Sequence, residues 1–420
     1  MQRLIIYLML FLFGTSAMMA EKKEKAKPPT PVRTLFKDAR ASIKNKRDQG
    51  RHEQTLEDAM KREDLKNEER AELRHIQALL NVSMNDAENL KAYLKQKYDT
   101  ASYFNTMLKT SRYALLSDSL DALPNAKGKV KFSWRSKNRD MLLRYRANVY
   151  NGGRFYLRKN DFQKALPFFE LFHQLRDAEI VKAEPSVAND TLYKRAAFYA
   201  MVSAYNVKQP RLALQYIDEA IEGIEAANRP VLQEYKVRCL NMVGDTAQWV
   251  AEMQRGCSQY PLHNYFFTSL MDYYESSRAF DLGISLADSL LQNVQDIGLY
   301  YYGKSLMYLH KEDWKRCIEM CDSTLVRQSD SANALYNKGI SYVNLATEYA
   351  DRACYDTSKA QSRKDQKIIQ GYYKEALPLF ELLRKMLPDD KSRWANPLYR
   401  IYLKLNMGKE FAEMEKLLGK

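Results

Sequence analysis

Residues 146–172 read RANVYNGGRFYLRKNDFQKALPFFELF. Two helical patterns lie side by side in this stretch. Val149, Gly152, Gly153 and Tyr156 belong to the first, and Ala165, Phe169 and Phe172 follow at four- and three-residue steps in the second. Small residues set among large aromatic ones predict two helices that approach closely at the small positions while the rings fill the gaps around them. A single pair of this size cannot bury its own apolar face, so the reading demands neighbours of the same kind.

Those neighbours recur down the chain. The small or packing residue of the second helix appears as Ala165, Ala213, Trp249, Gly283, Cys317 and Ala376, at separations of 48, 36, 34, 34 and 59 residues. Three intervals lie at or within two residues of 34, and the other two carry insertions near 177–190 and 345–369. Leu335, Gly339 and Tyr342 fit the first helix of the sixth unit, and Ala376, Phe380 and Pro388 its second helix and closing proline. In the fifth, Tyr301, Ser305 and Tyr308 take the first-helix positions, while Cys317 and Cys321 stand where alanine and phenylalanine are expected. The third matches mainly through Pro261; Trp249 there predicts either different packing or a register shift of a residue or two. Trp394–Leu418 closes the series as a capping helix pair. A bundle of unrelated helices would not need Gly153 and Gly339, each followed by Tyr three residues on.

On these residues the chain resembles the tetratricopeptide-repeat (TPR) family, over Arg146–Lys420 and more weakly over Leu35–Leu94. The resemblance implies an all-α fold, a solenoid of helix pairs wound as a right-handed superhelix, preceded by an N-terminal helical region. It implies a concave groove lined by the first helix of each unit, with ligand contacts from its second, fifth, ninth, twelfth and thirteenth positions. Carried onto this sequence, those positions give Tyr150, Arg154 and Arg158, then Arg195, Phe198 and Tyr205, then Arg238 and Asn241. Tyr265 and Asp272 follow, then Tyr302, and finally Tyr336 and Asn344. Arginine forks suit carboxylates and tyrosine rings suit extended peptide or sugar. The groove is expected to be basic and aromatic at its N-terminal end and less charged beyond. The Lys and Asn pattern with which some members clamp a C-terminal carboxylate is missing from these positions.

The remaining segments set the context. Met1–Ala20 carries Arg3, the apolar run Leu4–Phe13 and a small-residue region before charge resumes at Glu21, the layout of a signal peptide. The run is shorter than the roughly 20 residues that span a bilayer, so a retained anchor is the weaker reading. No cysteine follows it, which argues against a lipoprotein. Residues 21–34 read as a flexible basic leader and 124–145 as a basic linker. The region 35–123 reads as helical, with diverged repeats as one reading of it, and carries one stripe at Ala71, Leu73, Ile76, Leu79 and Leu80 and a further helix starting at Asn85 after a polar break.

The net charge of +14 sits almost wholly in two windows: Glu21–Arg62 holds net +6 and Pro124–Arg146 net +7. With an export signal ahead of it, this charge points to an anionic envelope component rather than to nucleic acid. The five cysteines are odd in number and scattered, and read as buried small residues rather than a disulfide framework. His52, His75, His173, His263 and His310 fall in no zinc frame, and no phosphate loop or nucleophile elbow is present. No catalytic residue, metal or cofactor is expected. The functional expectation is a non-catalytic scaffold or adaptor in the periplasm or at the outer membrane, holding a protein or peptide partner, with no membrane-spanning helix in the mature chain. A glycan-binding protein and a regulatory subunit of an envelope enzyme are the alternatives.

Overall fold

A computed structural model of the chain describes residues 30–125, 127–294 and 296–420. The stretch read as a signal peptide, and most of the leader, lie outside them. Among the described residues the secondary structure is helical, without a strand, and no helix is long and apolar enough to cross a membrane. The all-α expectation holds. The described residues form two compact units, one with residues 30–154 and 171–189, the other with 155–170 and 190–420.

The first unit begins with α1 (Val32–Asn45), α2 (Gln49–Ala59), α3 (Asn67–Tyr93) and α4 (Thr100–Asp121). The division between units falls within α5 (Arg135–Arg158) and α6 (Phe162–Asp177), and α7 (Pro185–Ala188) follows. Three sequence readings are corrected here. Helix α1 starts inside the supposed leader, because Val32, Phe36 and Ala39 form a buried stripe against Leu56, Leu73 and Ile76. Helix α3 runs unbroken through the supposed polar break. Asn81 Nδ2 donates to Gln77 O at 3.0 Å, while Asn85 Nδ2 donates to Tyr103 O at 2.7 Å and to Thr106 Oγ1 at 3.0 Å. These buried amides are satisfied inside the helix pair instead of marking a turn. Helix α5 starts inside the supposed linker. The Trp134 backbone N–H donates to Asp121 Oδ2 at 2.8 Å, its ring stacks on His75 with centroids 4.3 Å apart, and Arg135 Nε donates to Asp118 Oδ1 at 2.8 Å.

The second unit holds six helix pairs: α8 (Tyr193–Asn206) with α9 (Pro210–Gly223), α10 (Arg229–Val243) with α11 (Thr246–Gln259), and α12 (Asn264–Ser276) with α13 (Phe280–Asn293). Then come α14 (Gly298–His310) with α15 (Trp314–Arg327), α16 (Ala332–Asp351) with α17 (Ala360–Met386), and α18 (Lys391–Lys404) with α19 (Gly408–Leu418). Each helix packs on the next in sequence, the TPR-like arrangement.

One backbone device repeats at the turn inside the pairs. Lys208, Gly244, Arg278, Glu312 and Asn406 all have left-handed φ, between 56° and 76°. Each ends its helix with the same two bonds: Glu312 N donates to Leu309 O at 3.1 Å and Asp313 N to Tyr308 O at 3.0 Å, and the other four turns match. Asp245 and Asp313 then cap the following helix through Gln248 N and Arg316 N. Five residues after the left-handed residue stand Ala213, Trp249, Gly283, Cys317 and Phe411. Trp249 is therefore in register; its half-buried ring meets Tyr273 edge-on at 5.3 Å. The pair α16–α17 lacks the turn. Its first helix runs on to Asp351 and its second spans Ala360–Met386, so both helices are longer than those of the other pairs.

Small residues sit where helices touch. A methyl group on Gly339 would come within 2.7 Å of the Phe380 ring, and one on Gly303 within 2.6 Å of the Phe267 ring. Four of the five cysteines are buried, as expected; burial pushes the Cys239 thiol up to about 11 and the Cys257 thiol up to about 12, so both stay protonated at neutral pH.

Two predictions follow from this packing. Glu312→Gly is expected to stabilise the protein by about 0.5–1 kcal/mol, since glycine carries no Cβ penalty at left-handed φ, whereas Gly303→Ala is expected to destabilise it by about 1–3 kcal/mol through overpacking. Urea unfolding of both variants checks the opposite signs. In the first unit burial pushes His173 down to about 4, followed by the repulsion of Arg176, and burial also lowers His75. The folded state thus prefers the neutral rings: their contribution is full above the unfolded value near 6.5 and is lost as pH falls toward 4. His173→Asn is expected to flatten the stability loss across that window in denaturant titrations at stepped pH.

Candidate partner-binding face

The even-numbered helices α8 to α18 are the first members of their pairs, and α12, α14, α16 and α18 also touch one another in sequence. Their shared face is where the resemblance puts the ligand. The turn device holds five of the six pairs in the same register, equivalent positions on successive first helices come into contact, and two polar clusters result.

The first cluster spans α8, α10 and α12. Tyr205 and Tyr235 pack edge-to-face with centroids 4.9 Å apart, and the Arg238 guanidinium lies 5.3 Å from the Tyr265 ring centroid. Arg238 Nη2 donates to Glu234 Oε2 at 2.9 Å, and the other oxygen of Glu234 meets His263 Nε2. Desolvation works against the charge on Arg238, but bonds to the Tyr265 and Tyr205 hydroxyls keep its pKa above the ordinary value. One arginine is therefore held by two tyrosines and a carboxylate drawn from three helices.

The second cluster spans α12 to α18. His310 Nε2 pairs with Glu275 Oε1 at 2.8 Å. Arg393 Nη2 donates to Asn333 Oδ1 at 2.7 Å, with its guanidinium 5.1 Å from the Tyr336 ring centroid. Burial pushes the Tyr302 hydroxyl up, while Arg393 pulls it back and Glu275 and Asp272 add to the rise. Arg400 Nη2 donates to Thr347 Oγ1 at 2.7 Å.

The structure sorts the expected contact residues. Tyr205, Arg238 and Tyr265 come together in the first cluster, and Asp272, Tyr302 and Tyr336 in the second. Arg195 and Asn241 are exposed; Phe198 is half-buried, 5.7 Å from the Tyr199 ring, and Asn344 is half-buried on α16. Tyr150 is a correction: it is buried, with its ring 5.3 Å from Phe172, because the aromatic core of the first unit needs its volume. Arg154 lies 5.8 Å from that ring and is half-buried, and Arg158 is exposed one turn on. Sequence reasoning passed over Glu275 and His310, the twelfth and thirteenth residues of α12 and α14, and Glu234, which is fifth in the repeat register that makes Arg238 ninth; the same positional rule finds them. His263 and Arg393 precede or follow the counted positions and are brought in only by packing.

Chemically, the face offers half-buried rings, arginines held in place by neighbours, and carboxylates already engaged. It can clamp an extended chain through apolar and hydrogen-bonded contacts. Among the described residues no group of three or more His, Cys, Asp or Glu could hold a metal ion.

No protein-family model matches the chain, and no curated protein matches it. Solved structures do. A TPR-repeat protein from Bacteroides fragilis is 13% identical with a TM-score of 0.33, over 63% of this chain and 97% of its own. The C-terminal part of a TPR-repeat-containing protein from Cytophaga hutchinsonii is 12% identical with a TM-score of 0.35, over 63% of this chain and 98% of its own. YrrB, described as a TPR protein with an unusual peptide-binding site, is 14% identical with a TM-score of 0.30, over 49% of this chain and 97% of its own.

Removal of Arg393 tests the second cluster. Arg393→Ala is expected to move the Tyr302 hydroxyl further up, because it deletes the one cation that opposes burial there. Ultraviolet or NMR titration of the variant, with Tyr302→Phe as the subtraction control, reads the shift.

Proposed function

We propose that this protein is a non-catalytic scaffold or adaptor that holds an extended segment of a protein partner on the first-helix face of residues 190–420. The observation that carries the reading is the pair of clusters in which Arg238 is fixed by tyrosines of α8 and α12 and by Glu234 of its own helix, and Arg393 by Tyr336 and Asn333 of α16. Side chains ordered before binding lose less entropy on it, so such a face gains affinity without new contacts.

The setting proposed is the cell envelope of a Gram-negative bacterium, reached through the signal at residues 1–20. The basic stretches at 21–34 and 124–145 are proposed contacts for an anionic envelope component. N-terminal sequencing of the protein recovered from fractionated cells tests the export step: a chain beginning at Met1 in the cytoplasm refutes it.

Site-specific photocrosslinking in the native cell tests the face. A photoreactive residue at Tyr265 or Tyr302 is expected to capture the same partner, and one at exposed Val326 on α15 to capture none. Arg238→Glu together with Arg393→Glu is expected to abolish capture at both positions while leaving helicity unchanged. Equal capture from all three positions would sink the assignment of this face.

A further inference from the structure

Among the described residues, a cluster of exposed apolar side chains stands apart in sequence from the helices of the second unit. It is at the C-terminal end of α3, in the first unit, where Leu90 is 54%, Tyr93 83% and Leu94 53% exposed, and Tyr98 follows in the turn to α4. The first three stand at i, i+3 and i+4 and so share one side of the last helical turn. Lys91, Lys95 and Lys97 are interleaved with them, and no acidic residue occurs from Asn89 to Tyr98. Lys91 pairs with Glu88 at 2.6 Å, whereas Lys95 and Lys97 make no ion pair among the described residues.

The tip is rigidly built. Lys95 ends the helix at φ 54°, with Lys95 N donating to Ala92 O at 3.1 Å and Gln96 N to Lys91 O at 2.9 Å. Glu88 Oε2 also accepts the Asp99 backbone N–H at 2.8 Å, and Asp99 caps α4 through Ala101 N and Ser102 N. A loop whose ends are fixed this firmly holds its side chains in place: Tyr98 packs edge-on against the Tyr103 ring with centroids 5.8 Å apart and keeps 37% of its surface exposed, and Leu90, Tyr93 and Leu94 remain more than half exposed.

We propose that this tip docks on an anionic lipid surface, with Leu90, Tyr93, Leu94 and Tyr98 entering the interfacial layer and Lys91, Lys95 and Lys97 contacting the headgroups. Tyrosine suits that layer because one end of its ring is apolar and the other polar. Lysine stems lie along apolar surface while the ammonium stays in water. A second copy of the chain is a poor occupant, since three lysines would face three lysines. A stable protein interface buries about 800 Å² per partner over some 20–30 residues, more than a single helix end supplies, whereas a bilayer accepts a convex wedge. The surface lies outside both basic segments discussed above and does not depend on the partner-binding face.

Co-sedimentation of the full chain with vesicles tests the proposal. The probe is phosphatidylcholine containing about one-third phosphatidylglycerol, against phosphatidylcholine alone. The wild type is expected to bind the acidic vesicles preferentially, and more weakly as salt rises. Two variants, Leu90→Ser with Tyr93→Ser and Leu94→Ser, and Lys95→Glu with Lys97→Glu, are each expected to lower that binding by about tenfold. All changed groups are exposed, so circular dichroism should match the wild type. The apolar stretch at the N-terminus is common to every variant, so binding through it alone leaves the three proteins equal and overturns the proposal. It is overturned as well if the wild type binds neither vesicle, or if light scattering shows self-association that the serine variant abolishes, which would assign the tip to a second copy.

Discussion

The second unit depends on one backbone constraint: a single left-handed residue inside the helix pair. At Lys208, Gly244, Arg278, Glu312 and Asn406 the chain reverses with the same two carbonyl bonds, and this sets where the second helix starts relative to the first. Everything downstream inherits that register. The packing residue falls five places later, and the first helices of successive pairs present matching positions side by side. Four of the five turns use a residue other than glycine, which costs about 1 kcal/mol each. The stacked apolar surface compensates, since Leu270, Phe266, Phe380 and Leu398 are wholly buried.

Between pairs, the same register is marked by an ion pair that recurs with the repeat. Lys304 Nζ meets Asp288 at 2.6 Å, Lys338 meets Asp322 one 34-residue period later, and Lys236 meets Asp218 at 2.7 Å. In each the lysine is largely covered and the aspartate largely exposed. Pairs of this kind contribute about 0.2–1 kcal/mol, so they align rather than hold the stack. The holding is done by apolar burial and by close approach at Gly303 and Gly339.

Polar chemistry is distributed unevenly. The first unit buries His75, Gln77, Asn81, Asn85, Ser117 and Asp121, and its helix pair α3–α4 is joined largely through such groups. Here sequence reasoning went astray, because a buried asparagine in a hydrogen bond and an exposed one at a turn look alike as letters. Partner groups such as Tyr103 O and Thr106, which decide between the two, are 18 and 21 residues away. The basic segment before α5 misled for a related reason: its helix is supported by Asp118 and Asp121 from the preceding helix.

The sequence alone was enough to determine the all-α, helix-pair architecture, because it follows from the spacing of small and large residues that every unit must satisfy. The register of Trp249, the continuity of α3 and the burial of Tyr150 were decided by tertiary structure, since each depends on which neighbour occupies the adjoining space. The same holds for the clusters around Arg238 and Arg393. The positional rule names candidates one helix at a time, but each arginine is fixed in part by a tyrosine from another helix, and only packing brings residues 27 or 60 apart into contact.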